Sequence, residues 1–75
     1  MEKVIDLRKS VYDICQAHPE AVEILAEVGF SEIAKPGMLA TVGRVMTIPK
    51  GARMRGIKLD KIIAAFEQRG YEVIQ

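Results

Sequence analysis

This sequence has very little cysteine and histidine and lacks tryptophan. Its 75 residues include one cysteine, Cys15, one histidine, His18, and no tryptophan. A disulfide within the monomer is excluded because it needs two cysteines. A structural zinc site usually takes about four Cys or His ligands, and the chain offers two. We therefore expect helical packing or a partner chain to stabilise this small domain.

Long hydrophobic runs are also missing from the sequence. No stretch approaches the ~18 apolar residues of a membrane-spanning helix. The N-terminus mixes acidic and basic residues, which is not typical of a secretory signal peptide. Apolar residues nevertheless make up 49% of the chain at regular spacing, which argues against disorder. We predict one folded domain over residues 1–75, without membrane contact, in the reducing cytoplasm.

The charges are unevenly distributed although the net charge is only +1. Residues 1–34 carry a net charge of −4, residues 35–61 carry +6, and residues 62–75 carry −1. Two interpretations are open: the acidic and basic parts attract each other within the fold, or the basic part binds an anionic partner. The candidate contacts on this basic face are Arg44, Lys50, Arg53, Arg55, Lys58 and Lys61.

Hydrophobic periodicity predicts an all-α domain of four to five short helices. Ser10 and Thr47 are typical N-caps. Gly29 and Gly70, each followed by an aromatic residue, are typical of helix ends because glycine readily adopts positive φ. The predicted helices run from Ser10 to the residue before Pro19, from Pro19 to Gly29, over 38–46, from Thr47 to Gly56, and over 58–69.

The terminal segments alternate between apolar and polar residues, as short strands do. We expect Val4–Leu7 and Tyr71–Ile74 to pair as a two-stranded ribbon beside the helices. Residues 31–37 are interpreted as a connector closed by Pro36 and Gly37. Gly43 weakens the third helix by about 1 kcal/mol relative to Ala, so a close packing contact would explain it.

His18 and Cys15 are spaced so that one helix could present both to a metal. The structural interpretation is that Cys15 is a small core residue and His18 a hinge or capping residue at the helix break. We predict no metal site and no resident cofactor. If haem or a metal binds, His18 is the ligand we expect, because an exposed imidazole coordinates readily.

Gly51, Gly56 and Lys58 superficially match a phosphate-binding loop. That pattern needs Lys directly after the second Gly and then Ser or Thr, whereas Ile57 and Leu59 interrupt it here. Gly56 is therefore predicted to separate two helices. Catalysis also needs a nucleophile, a base and an orienting group, and no such set stands out. We predict no catalytic residues and no enzyme activity.

The methionines divide into two groups. Met38 and Met46 fit the apolar stripe of the third helix and are predicted to fill the core. Met54 lies between two arginines and is the methionine that we expect to be an exposed contact. No aromatic residue lies between Phe30 and Phe66, so bases would find no stacking platform there. Nonspecific nucleic-acid binding is accordingly the weaker alternative.

Several motifs resemble known families. Residues 4–34 resemble the small helical N-terminal domain of ScdA-type (di-iron) iron–sulfur cluster repair proteins. The segments that carry this resemblance are Ile5-Asp6-Leu7, Ser10-Val11, Ile14, Pro19, Leu25 and Gly29-Phe30. The whole chain is similar to a bacterial family of small helical proteins designated a domain of unknown function, found alone or fused to sensory and hemerythrin-like domains. This longer likeness adds Thr41-Val42-Gly43-Arg44, Leu59-Asp60-Lys61-Ile62 and Gly70-Tyr71-Glu72-Val73-Ile74.

The resemblance implies a fold but no defined activity. After its glycine the repair-protein domain continues to a Cys-Cys pair, whereas Ser31-Glu32-Ile33-Ala34 follows Gly29-Phe30 here. Thiol or metal chemistry tied to that pair is therefore not carried over to this chain.

Our leading hypothesis is a non-catalytic binding or regulatory module. It would use its basic face, residues 44–61, and the loop after Gly29 to bind a protein partner, and self-association is left open. The first alternative is a small-ligand, haem or metal-binding accessory domain in redox or iron–sulfur stress.

Overall fold

Five α-helices, one 3₁₀ helix and two short strands form the part of the chain that the computed structural model describes, residues 3–35 and 37–75. In chain order these are β1 (Val4–Asp6), α1 (Val11–Ala17), α2 (Glu20–Val28), the 3₁₀ helix (Ser31–Ala34), α3 (Met38–Val45), α4 (Ile48–Arg55), α5 (Leu59–Gln68) and β2 (Glu72–Ile74). The predicted helical array with a terminal ribbon is confirmed. No helix in these two ranges is both long and apolar enough to cross a lipid bilayer.

Side-chain caps begin α1 and α4, as the sequence predicts. The Ser10 hydroxyl accepts a hydrogen bond from the Asp13 N–H at 3.1 Å. The Thr47 hydroxyl accepts one from the Lys50 N–H at 3.3 Å. Each bond satisfies an N–H that the helix itself leaves unpaired. An antiparallel bridge between Ser10 and Thr47 places the starts of α1 and α4 side by side.

A glycine followed by a buried aromatic ring ends α2 and α5. Gly29 has φ of +126° and Gly70 has φ of +87°, a region that side chains with a Cβ avoid. The N–H of the next residue then donates to the carbonyl five positions back, at 2.8 Å for Phe30 and 3.0 Å for Tyr71. Both rings are buried. The predicted endings are confirmed, and each one directs an aromatic ring into the core.

The two strands pair in parallel, with Ile5 opposite Val73. The Leu7 N–H extends the ladder by donating to the Ile74 carbonyl at 2.9 Å. Parallel strands need a long crossover connection, and here the entire helical body supplies it. Ile5 is completely buried, so β1 also forms part of the core.

One apolar core joins the strands and helices. Burying a large aliphatic or aromatic side chain contributes about 1.5–3 kcal/mol. The largest fully buried side chains are Phe66, Ile5, Ile24, Leu25, Ile48, Ile62 and Val11.

The segment after Phe30 differs from its prediction as a plain connector. Residues Ser31–Ala34 form a 3₁₀ helix, and Ile33 is 5% exposed within the core. A single turn with one buried side chain produces no repeating pattern, so periodicity cannot reveal it. Pro36 of the predicted connector lies outside the described residues, as do Met1 and Glu2.

Most helix boundaries also differ from the predicted ones by one residue, and two of them are instructive. α2 begins at Glu20, one residue after the predicted Pro19, although Pro19 already has helical backbone angles. α3 ends at Val45, because Met46 is extended. Such shifts at helix ends are normal.

Candidate functional site

Two arginines of the predicted basic face make contacts within the fold. Arg55 forms an ion pair with Glu32 of the 3₁₀ helix, and its guanidinium lies 6.0 Å from the centre of the Phe30 ring. Arg44 lies over the Tyr12 ring at 4.3 Å. The Arg55 contact supports the interpretation that the basic and acidic parts of the chain attract each other.

The other four predicted cations have no such partner. Within residues 3–35 and 37–75, no carboxylate lies at ion-pair distance from Lys50, Arg53, Lys58 or Lys61. All four are exposed. These side chains are available to a ligand, in line with the second interpretation of the charge pattern.

Of these four cations, the three lysines lie at the starts of helices and Arg53 lies at the end of one. Lys50 lies in the first turn of α4, Lys58 is the N-cap of α5, and Lys61 is in its first turn. A cation near the positive end of a helix dipole is unfavourable. Arg53, in the last turn of α4, has the favourable placement. The three lysines therefore do not stabilise their own helices.

An apolar groove of about 220 Å³ lies between α3 and α4. Two of its side chains are strongly exposed: Val45 at 75% and Met54 at 73%. Exposed apolar side chains of this size that cluster are typical of interaction surfaces, whereas scattered ones are not. The groove is lined by Val42, Val45, Met46, Lys50 and Met54.

The groove exists because α3 and α4 pack on different neighbours. α3 packs against α1 and the 3₁₀ helix, whereas α4 packs against α5. Gly43 is the buried residue of α3, and a Cβ there would lie 3.0 Å from Leu39 Cδ1 of the same helix and 3.4 Å from the Tyr12 nitrogen of α1. The contact with α1 would be an ordinary van der Waals contact, so the close contact expected at Gly43 is made by the flexible Leu39 side chain. Val42 and Val45 line the groove on another side of α3.

The apolar stripe of α3 includes Val45, which the structure leaves exposed. The stripe is wider than the surface that α1 and the 3₁₀ helix cover. Among the methionines, Met46 packs against the core as predicted and also lines the groove. Met38 is half-buried and lies outside the core cluster. Met54 is exposed, as predicted.

Cys15 and His18 have the structural roles that the sequence predicts. Cys15 is 4% exposed, and burial raises the pKa of its thiol to about 11. The His18 N–H donates to the Ile14 carbonyl at the end of α1. Its ring Nε2 lies 3.1 Å from the Val4 oxygen, and the Tyr71 ring packs edge-on at 5.3 Å.

The described ranges contain no group of three or more His, Cys, Asp or Glu side chains that could hold a metal ion. The Nε2 of His18, the ligand expected for haem or a metal, is engaged with the backbone of β1. A buried thiol with a raised pKa is also a poor metal ligand and nucleophile at neutral pH.

The segment that superficially matches a phosphate loop is a helix. Gly51 lies inside α4, and its N–H donates to the Thr47 carbonyl at 2.9 Å, so it is not free for a phosphate. Gly56 ends α4 with φ of +67°. The prediction that Gly56 separates two helices is confirmed.

Sequence reasoning missed a polar network that joins α2 to the segment between α5 and β2. The Tyr71 hydroxyl donates to Glu20 at 3.1 Å. Arg69 donates to both oxygens of Glu27, at 2.7 and 2.8 Å, and lies 3.5 Å from Glu20. Burial raises the pKa of the Tyr71 phenol, and the bond to Glu20 adds to that shift. We call Glu20, Glu27, Arg69 and Tyr71 the α2–β2 network.

Comparison with known proteins gives the chain a family. A crystal structure titled as the conserved domain protein from Streptococcus pneumoniae TIGR4 is similar, with a TM-score of 0.93 and 42% identity over 99% of this chain and 94% of that one. No curated protein gives a match. The family described as Domain of unknown function (DUF1858) matches residues 5–63, which is well over half of the chain. The chain therefore belongs to the DUF1858 family.

Proposed function

We propose that this domain is a non-catalytic binding module that contacts a protein partner through the groove between α3 and α4. Lys50 and Arg53 beside the groove would contact acidic groups of the partner. The observation that carries this proposal is the juxtaposition of two exposed apolar side chains, Val45 and Met54, with Lys50 in the lining of the groove. Arg53 follows Lys50 one turn further along α4.

The energetics of the fold support this proposal. Covering an exposed Val or Met side chain would contribute about 1.5–3 kcal/mol at full burial, a gain that the isolated domain does not make. Lys50 also stands at the unfavourable end of α4. These side chains do little for the domain by itself, and a partner surface would turn each of them into a stabilising contact.

The non-catalytic part of the proposal rests on how the reactive side chains are used. The Cys15 thiol is buried, with its pKa raised to about 11. The Ser10 hydroxyl caps α1 and the Tyr71 hydroxyl is bonded to Glu20. Each group already has a structural partner or is inaccessible, and Glu20, the carboxylate beside the Tyr71 hydroxyl, lies 3.5 Å from the Arg69 guanidinium, in the polar network of Arg69 and Tyr71.

A charge-reversal pull-down tests the proposed surface. The variant Lys50→Glu/Arg53→Glu should lose partners that the unchanged domain retains, because both charges beside the groove are inverted. Lys9→Glu/Lys35→Glu is the matched control, since both lysines are exposed and lie outside α3 and α4. If all three proteins retain the same partners, the groove is not the working surface.

The setting of this module is also a proposal. We place it in the cytoplasm, in redox or iron–sulfur stress, by its resemblance to the ScdA-type N-terminal domain. Where that domain carries its Cys-Cys pair, this chain has the 3₁₀ helix with buried Ile33. Absorption spectra with haem, Fe²⁺ and Zn²⁺ test the ligand-binding alternative. A spectral change that His18→Ala abolishes would favour that alternative over the binding module.

A further inference from the structure

We infer that the groove between α3 and α4 receives an acidic amphipathic helix of a partner protein, with a large apolar side chain seated between Val45 and Met54. This inference rests on the proposed function and names the class of its partner. Four properties of the groove lead to it: its size, the backbone of its walls, the side chains that line it, and its charge.

The size of the groove favours side chains over a cofactor. Small-molecule sites usually occupy about 300–1,000 Å³ and enclose most of the ligand. This groove has about 220 Å³ and is open to solvent along the exposed Val45 and Met54. It therefore suits the apolar side chains of a docked helix.

The backbone of the walls offers no strand edge to which an extended peptide could add. An extended segment gains affinity by adding to a strand edge, which supplies unpaired N–H and C=O groups. Here Val42 and Val45 belong to α3, while Lys50 and Met54 belong to α4, so both walls are helical. A partner must bring its own satisfied backbone to this surface, and a helix does so.

The lining can adapt to an inserted side chain. Met46 and Met54 are unbranched and polarisable, which lets them repack around different apolar shapes. Val45 is stiff at χ1 and gives the groove one fixed edge. Such a combination resembles the way amphipathic helices are held in grooves, through apolar anchors spaced one turn apart.

The cations beside the groove indicate which residues should flank the apolar side chain of the partner. Lys50 lines the groove, and Arg53 is one turn further along α4, so the two are neighbours on its surface. Neither has an ion-pair partner within residues 3–35 and 37–75. Glu or Asp residues on both sides of the partner's apolar anchor would complement them.

The chemistry of this face disfavours the two other occupants. A nucleic acid would place charged phosphates against Val45 and Met54, and α3 and α4 contain no aromatic ring for base stacking. A second copy that packed this same face against itself would bring its own Lys50 and Arg53 to these cations, and any other face would need an exposed apolar helix with acidic flanks. Elsewhere in the described residues, the large exposed apolar side chain is Ile74, on the ribbon beside Lys3.

The probe for this inference is a synthetic fluorescein-labelled peptide. It carries Leu at positions i, i+3, i+4 and i+7 of a helix and Glu on its other face. Three comparison probes separate the contributions: a peptide with Lys in place of Glu, a peptide of the same composition in scrambled order, and polyglutamate. Binding is measured by fluorescence anisotropy, and the methyl signals of Val45 and Met54 are followed by NMR.

Two pairs of protein variants accompany the probes. Val45→Ser/Met54→Ser should weaken binding of the acidic amphipathic peptide at least about tenfold, because the apolar contacts are lost. Ile74→Ser is its matched control and should bind normally. Lys50→Glu/Arg53→Glu should also weaken binding about tenfold, while Lys9→Glu/Lys35→Glu should not. Circular dichroism verifies that each variant is folded.

The outcomes separate this inference from the proposed function. Preferential binding of the acidic amphipathic peptide, with methyl shifts at Val45 and Met54, supports both. Equal binding of polyglutamate, unaffected by Val45→Ser/Met54→Ser, overturns the helix inference but leaves a basic binding face. No binding of any probe overturns the inference. If the charge reversal also leaves the pull-down unchanged, the proposed function fails as well.

Two further results would overturn the inference in favour of another occupant. Sedimentation of the domain alone could reveal a dimer that Val45→Ser/Met54→Ser dissociates, which would assign the groove to a second copy. Retention on duplex DNA that falls steeply with salt and depends on Lys50 and Arg53 would assign the face to nucleic acid.

Discussion

Charged and apolar side chains are paired or buried in the α2–β2 network, whereas they are exposed at the groove between α3 and α4. In the network, Arg69 is paired with Glu27 and Glu20, and the Tyr71 ring is buried. At the groove, Val45 and Met54 remain exposed beside cations that have no ion-pair partner in the described part of the chain. The comparison teaches that net charge along the sequence does not locate a binding surface. The surface that we propose is marked instead by charges and apolar groups that have no partner within the described part of the fold.

The largest expected difference between the two regions is in core stability. Phe66 is fully buried and packs edge-on against Tyr71, with ring centres 5.7 Å apart. Phe66→Ala should lower the free energy of unfolding by about 3–5 kcal/mol, which leaves little of the stability of a domain this small. Met54→Ala should change it by less than about 0.5 kcal/mol. Urea unfolding followed by circular dichroism measures both; a large loss for Met54→Ala would show that the groove belongs to the core.

The next prediction concerns Gly51, which lies where the core meets the groove. A Cβ there would lie 2.7 Å from Phe30 Cε1 and 2.8 Å from the Met46 sulfur. Helix propensity gains about 1 kcal/mol on Gly→Ala, whereas overpacking costs about 1–3 kcal/mol. Gly51→Ala should therefore lower the unfolding free energy by about 1 kcal/mol and shift the Met46 methyl signal. A more stable variant would mean that the Phe30 ring moves away from the added Cβ at little cost in free energy.

A smaller and opposite effect is expected at the start of α5. Lys58 has the extended backbone of an N-cap, yet its side chain makes no capping bond. Lys58→Asp would add a cap and place a negative charge at the positive end of the helix dipole. We expect the unfolding free energy to rise by about 0.5–1 kcal/mol, measured by thermal and urea unfolding. Lys58→Ala, which supplies no cap, is the control, and equal gains for both would remove capping as the cause.

The last expected effect is confined to alkaline pH and concerns Cys15. Its pKa is raised from 9.0 to about 11 by burial, so folding disfavours the thiolate. The thiol's contribution to stability is complete below pH 9 and is lost as the pH rises from 9 towards 11. Unfolding measured across this range should fall more steeply for the unchanged domain than for Cys15→Ala. Parallel slopes would show that the thiol titrates normally in the folded state.

Local signals in the sequence predicted most of the fold. Ser10 and Thr47 cap helices because a hydroxyl just before a helix finds a free N–H nearby, wherever the helix packs. Gly29 and Gly70 end helices because of their own backbone freedom. Pairing of the terminal segments followed from their alternation, but alternation does not determine that the strands are parallel.

The candidate site was only partly predictable, because it depends on contacts between distant residues. The apolar period of α3 is visible in the sequence, but which neighbour covers it is not, so the sequence does not show that Val45 stays exposed. In the sequence, Arg55 is one more cation of the basic face. Only the fold shows that Glu32 of the 3₁₀ helix lies beside it. The bond between Tyr71 and Glu20 joins positions 51 residues apart, and no local pattern indicates it.

The parallel ribbon also has a mechanical consequence for the domain. β1 starts at Val4 and β2 ends at Ile74, so tension transmitted along the chain pulls the two strands past each other along their length. Their hydrogen bonds then bear the load together, instead of opening one after another as in a hairpin pulled from its open end. Stretching the chain therefore shears the ribbon as a unit before it can extract a helix.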